Sequence, residues 1–340
     1  METTATTKLD IEQLVADILD TIDKEREREI IERRFGLKGR KETLEEIGTA
    51  LGITRERVRQ IEKQTVLKLQ QIEHEHIATI NQQFTAALET LGRIAPLHEV
   101  AEHLKSELHS HINFLAHLVD EITVIPENDY FHHSLVLHKH HDHKALKTLR
   151  SELLNAVKTL NRPIDIHELH EQFNNKLEKH HLHGLARSSK GLANLDDKWG
   201  LDSWPEVNPK SIRDKIYVVL QRNQKPMHFN EIAETIRNSD FKRKDVTTQA
   251  IHNELIKDSR FILVGRGVYA LDQWGFSTGT VADVIEKILK DESPLHRDEI
   301  IKRVLSERHV KPTTIILNLQ GKEQFKRVAK ATYALNESTQ

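Results

Sequence analysis

Cysteine is absent from the 340 residues, which excludes a disulfide framework, a thiolate metal site and a cysteine nucleophile together. Aromatic residues are few, at 5%, so the cores are expected to be aliphatic and a large aromatic substrate pocket is not indicated. No window approaches the ~18 consecutive apolar residues that a membrane-spanning helix needs. The first residues, METTATTKLDIEQLV, lack a basic segment followed by an apolar run, so no secretory signal is expected. A cytoplasmic protein that does not engage membranes is the expectation. A phosphate-cradling glycine loop and an HExxH helix are also missing, and the scattered acids are accounted for by helix faces and caps. The chain is therefore expected to be no enzyme, with no cofactor and no small-molecule substrate.

What is present is charge, at 30% of the residues with a net charge of only -2. That near-neutrality hides a pattern. Residues 1–23 carry a net -5, residues 24–73 carry +3, residues 74–208 carry -6, residues 209–275 carry +4 and residues 276–340 carry +2. Basic segments flank an acidic middle, so the average charge says nothing about local affinity for nucleic acid.

A phrase recurs along the chain: aliphatic helix, polar turn, proline, second helix. Its copies are ALETLGRIAPLHEVAEHL, LLNAVKTLNRPIDIHELHEQF, IYVVLQRNQKPMHFNEIAETI and VIEKILKDESPLHRDEIIKRV. Pro96, Pro163, Pro226 and Pro294 hold equivalent places, followed closely by Glu99, Glu168, Glu231 and Glu299. Proline stops the preceding helix and fixes an extended residue before the next one starts. The third and fourth copies close on FILVGRGVYAL and FKRVAKATYAL, which read as β-hairpin wings; EITVIPENDYFHHSLVL and GLANLDDKWGLDSW are weaker versions of the same ending. The expected fold is mostly α: tandem helix-turn-helix and winged-helix units with short β-hairpin wings. The expected units are 8–73, 75–138, 142–208, 209–275 and 278–336.

Before the repeat lies TLEEIGTALGITRERVRQIEKQTVLKL. Thr43 and Glu46 have capping-box spacing, Gly52 permits a tight turn and Thr54 can cap a second helix. At 100° per residue, Val58, Ile61, Thr65 and Leu69 share one arc, while Arg55, Glu56, Arg59, Gln60 and Lys63 lie opposite. A helix-turn-helix sets the early residues of its second helix against base edges, where Arg pairs with guanine, Gln with adenine and Glu with cytosine. Arg57, at the edge of that face, suits phosphate.

Residues 14–70, through EREREIIERRFGL, TLEEIG and TRERVRQIE, resemble the fourth conserved region of housekeeping-type bacterial sigma factors. The resemblance implies double-stranded promoter −35 DNA and the RNA polymerase core as partners. It implies base reading by Arg55, Glu56 and Gln60, and backbone contact by Thr43, Leu44, Arg57 and Arg59; from its place on the wheel Arg59 is also expected to read bases and Lys63 to meet the backbone. Gln64 and Leu67 stand where that family is often basic, at its activator-contact surface. Only about a dozen residues precede the resemblance, so a complete initiation factor is not expected. NRPIDIHELHEQF with DDKWGLDSWPE is similar to the folded domain of the RNA polymerase delta subunit, and residues 210–275 resemble the related HARE winged helix. There Lys242, Arg243 and Lys244, before DVTTQAIHNELI, and Arg266 at the wing tip are expected to meet the DNA backbone.

Twenty-two histidines include the tracts HKHHDH (138–143) and HHLH (180–183). A functional metal site needs fixed spacing on ordered elements with supporting contacts, so none is expected. Two functions remain: a DNA-binding transcription factor, or a polymerase-docking accessory protein with little sequence preference of its own.

Overall fold

Pro163, Pro226 and Pro294 deliver the chain into a short extended segment and then a helix, Pro96 ends a strand and leads straight into its helix, and each repeat acid sits at the third position of that helix. The helices are Leu97–His103, Ile166–Gln172, Phe229–Arg237 and Arg297–Glu307. Glu231 uses the position to close a capping box, its carboxylate accepting from the backbone N–H of His228 while the imidazole accepts from Asn230 N–H. Carboxylates in a first turn also meet the positive end of the helix dipole. The sequence periodicity is silent about one element. The residues after the prolines, Met227–His228 and Leu295–His296, are strands that pair with the second arm of the following hairpin. Two residues are too few to show an alternation.

The computed structural model describes residues 10–71, 75–137, 142–173, 176–277 and 279–336. Among them are sixteen α-helices and eleven short strands, all paired antiparallel. The protein is mostly α with small hairpin sheets, and it divides into two compact units, Met1–Ser203 and Trp204–Gln340.

In the first unit, helices Ile11–Asp20, Glu25–Phe35, Leu44–Leu51 and Arg55–Gln70 precede the repeat. Helix Glu75–Leu91, strand Ile94–Pro96, helices Leu97–His103 and His109–Ala116, and the hairpin Ile122–Ile125 with Ser134–Leu137 follow. Helices His143–Leu160, Ile166–Gln172 and Lys179–Ser188 then close on the hairpin Leu192–Leu195 with Lys198–Leu201, where Trp199 is buried and bridges Ile164. Both weaker endings seen in the sequence are therefore hairpins. One continuous core runs from Leu14 and Ile18 through Phe35 and Leu69 to Phe84, Phe114 and Leu135, so the helices before the repeat and the first repeat are packed as one body.

The second unit repeats the plan twice: helices Ile212–Asn223, Phe229–Arg237 and Thr248–Lys257 with their hairpin, then Val281–Asp291, Arg297–Glu307 and Pro312–Gly321 with theirs. The hairpins match in register, Phe261 facing Leu271 and Phe325 facing Leu335, each with an irregularity before the turn. Gly267 and Ala331 take the same left-handed turn position. Gly pays nothing for that conformation, whereas Ala is strained there.

Candidate nucleic-acid interface

The helix-turn-helix is locked by local chemistry. Thr43 Oγ1 accepts from Glu46 N–H at 3.2 Å and the Glu46 carboxylate accepts from Thr43 N–H at 2.7 Å. Gly52, at φ 66°, ends the helix Leu44–Leu51, and Thr54 caps the next helix by accepting from Arg57 N–H. Gly48 is fixed by packing: a Cβ there would lie 2.7 Å from the Ile53 carbonyl oxygen, so the turn closes only over glycine. Behind the two helices, Ile30, Ile47 and Val58 form a small core of their own.

The capping box makes a pH signature. The Thr43 N–H, and after it the Arg40 side chain, hold the Glu46 carboxyl down to about 2 from the ordinary 4.5. A lowered folded pKa stabilises above the unfolded value and is lost as pH falls through the folded one. Exchange protection of the Leu44–Leu51 amides, normalised for intrinsic rates, is expected to decline between pH 4.5 and pH 2 relative to a Glu46→Gln variant, whose protection should stay flat by comparison. Equal pH profiles would remove this role for Glu46.

Along the helix Arg55–Gln70, Val58, Thr65 and Leu69 are buried and Ile61 is half-buried, while Arg55, Glu56, Arg57, Arg59, Gln60 and Lys63 are exposed. The wheel drawn from the sequence holds. The exposed groups pair with each other: Arg59 donates to both Glu56 oxygens at 2.6 and 2.8 Å, and Arg57 donates to Gln60 at 3.3 Å. The Arg59 hydrogen bond is the first cause of a lowered Glu56 pKa. Exposed pairs of this kind bind weakly and yield to a better partner.

Thr43 and Leu44, at the start of one helix, and Arg55, at the start of the next, line one shallow groove with Glu45 and Arg34. Sequence reasoning missed Arg34. It is held from behind by Glu62 at 3.2 Å and donates to the Glu42 carbonyl at 3.3 Å. Its place in ERRFGL, at the end of a helix facing the next two, is the signal that points to it. Gln64 and Leu67, on the helix Arg55–Gln70, are exposed.

The part of the chain that carries this site is similar to a known family. Residues 24–71 match the model of "Sigma-70, region 4". Over 60 residues the chain is 48% identical to the "RNA polymerase sigma factor SigA" of Bacillus sp., a stretch covering 17% of this chain and 16% of that relative. The region 4 match spans all three helices that build the groove, Glu25–Phe35, Leu44–Leu51 and Arg55–Gln70. The chain thus spans only a small part of the relative's length.

In the second unit, Lys242, Arg243, Lys244 and Arg266 are all exposed. The helix that follows them starts at Thr248, capped by Thr247, so the three basic residues sit in the preceding loop. The loop is pinned by Lys215, a buried lysine whose ammonium donates to the Arg243 carbonyl at 2.7 Å and whose pKa burial lowers. Lys244 donates to Ser239 O, just past the end of helix Phe229–Arg237, whereas Gly267, next to Arg266, accepts from Phe229 N–H at the start of that helix. The fold therefore holds Arg266 and the basic loop at opposite ends of a nine-residue helix, about 13 Å long, and does not gather them into one patch.

Residues 138–141 of the first histidine tract lie outside the described residues. In the second, His180 and His181 come together with Glu89 so that one ligand atom from each lies within 4.8 Å of the others. The Arg93 guanidinium reaches Glu89 at 2.9 Å and His181 at 3.3 Å, so a cation already stands there and a metal ion would have to displace it. Burial first, then His180, pushes the His181 pKa down to about 4. The run Gly275–Gly279, GFSTG, spells the lettering G-x-S-x-G. Ser277 Oγ bonds the Glu307 carboxylate and its carbonyl accepts from Arg308. Among the described residues no helix is long and apolar enough to cross a membrane.

Proposed function

We propose that the chain is a sigma-like, DNA-binding, non-catalytic transcription factor of the cytoplasm, acting in initiation or its regulation. The observation that carries this reading is the exposed face of Arg55, Glu56, Arg59 and Gln60 beside the groove of Thr43, Leu44 and Arg55, inside a region 4 match. The face reads −35-like bases; Thr43, Leu44, Arg57 and Lys63 hold the backbone, with helix N-terminal N–H groups facing phosphate. Lys242, Arg243, Lys244 and Arg266 add backbone contacts further along. RNA polymerase core is the protein partner. The repeated plan of three helices and a hairpin, with a strand or, at Ile164, a single bridge after the first helix, supports winged-helix units at 75–138, 142–208, 209–275 and 278–336 behind the 8–73 module. Of these, 142–208 is delta-like and 209–275 HARE-type.

A second reading is favoured by the pairing of Glu56 with Arg59 and of Arg57 with Gln60, which leaves the reading groups bonded to one another in the free chain. In that reading the protein docks on polymerase, and the complex supplies the DNA contact. Anisotropy of a labelled TTGACA duplex against a scrambled one, over a range of salt, tests the first reading; no preference at any salt sinks it. Polymerase subunits should co-purify with the tagged full chain in the second, and a pull-down without them ends it.

A further inference from the structure

Between the region 4 helices and the first repeat lies a cleft of about 550 Å³ whose lining includes Arg34, Lys41, Asn113 and the rings of His117 and His133, together with the carboxylates of Glu62 and Glu127. That volume lies in the range of small-molecule sites, which pair apolar walls with a few convergent polar groups. Both acids are already engaged, Glu62 by Arg34 at 3.2 Å and Glu127 by Lys190 at 2.8 Å. Among the described residues Lys41 forms no ion pair, and its side chain is exposed at the mouth. At the floor, Asn113 is only 6% exposed, and its Oδ1 is buried with no hydrogen-bond partner. A buried acceptor left unsatisfied costs stability, and one beside a cleft can be satisfied by a donor that enters it. His117 donates Nδ1–H to the Asn113 carbonyl at 2.7 Å, and burial lowers the pKa of His117 and of His133. Burial thus favours the neutral form of both rings, and the cationic side chains of the cleft are Lys41 and Arg34, which share its lining with Glu62 and Glu127.

We propose that this cleft binds a small anionic effector, a phosphate or carboxylate held by Lys41 and Arg34 and carrying an N–H or O–H group that reaches the Asn113 amide oxygen after a small rotation of that side chain. The apolar wall of Phe35, Val124 and Pro126 accommodates the body of the molecule. Arg34 lines both this cleft and the groove of Thr43, Leu44 and Arg55, so an anion drawing on Arg34 competes with Glu62 and with a DNA phosphate for one guanidinium. This coupling rests on the proposed DNA reading; the binding site does not.

Titration calorimetry of the full chain with adenosine 5′-monophosphate, inorganic pyrophosphate and citrate tests the site without DNA. Saturable one-site binding of at least one probe is expected. Response to the first two alone identifies phosphate, and response to citrate alone identifies carboxylate. Lys41→Glu should weaken binding at least about tenfold, as removal of a charge-assisted hydrogen bond does. Asn113→Leu should also weaken binding while leaving the apo protein as stable as before or more so, which separates a ligand contact from a structural one. No saturable binding of any probe, or binding unchanged in both variants, overturns the site. At saturating probe, duplex affinity should fall several-fold, and an unchanged affinity overturns the coupling alone.

Discussion

Replacing Arg55 and Gln60 together with alanine is expected to cost the chain its preference for a TTGACA duplex, by about 1–3 kcal/mol for each bidentate pairing with a base that the substitutions remove. Non-specific binding should be nearly untouched, because Thr43, Leu44, Arg57 and Lys63 would still address the backbone, and the slope of affinity against salt should change little. Both side chains are exposed and neither supports the core, so helicity and amide protection should match the parent. The measurement is anisotropy on specific and scrambled duplexes at matched salt. Equal losses on both duplexes would show these residues to be general anchors and would remove base reading from the face.

Ile47→Ala should abolish the same preference without touching DNA. Ile47 is fully buried against Ile30 and Val58, and truncating such a residue costs about 2–5 kcal/mol. Three fully buried side chains with a partly buried fringe of Leu44, Leu51, Ile53 and Ile61 leave little reserve. Hydrogen exchange should therefore show protection lost across Leu44–Leu51 and the start of Arg55–Gln70, while the hairpins of the second unit stay protected. If protection persisted in this variant while DNA preference vanished, the small core would not be what positions the reading face.

Legibility in the sequence followed the physics of each element. The helix-turn-helix could be read almost residue by residue, because capping boxes, turn glycines and helical stripes are local signals with fixed spacing. Thr43, Glu46, Gly52 and Thr54 act as their positions imply. The hairpins were legible where β-branched runs met a turn glycine, as at Phe261–Leu271, and faint where Asp196 and Asp197 make the turn in left-handed conformation. Non-local features were not legible. Arg34 reaches Glu62 across 28 positions, Arg93 holds His181 across 88, and the cleft of Lys41 and Asn113 draws on segments nearly a hundred residues apart. No periodicity reports such meetings, because they are set by how helices pack rather than by the chain's own spacing.

The helix Arg55–Gln70 is fastened twice: Val58, near its start, belongs to the small core, and Leu69, near its end, to the large one. Sixteen residues make a rod of about 24 Å. Pivoting such a rod by about 10° at the Leu69 end sweeps its tip by about 4 Å, more than the ~3.4 Å between successive base pairs of DNA. Were the small core to yield, the large core would be the fulcrum and the helix the lever arm. In the proposed DNA reading, a partner that shifted the repeat sharing that core would re-aim Arg55 and Gln60 along the groove by about one base step.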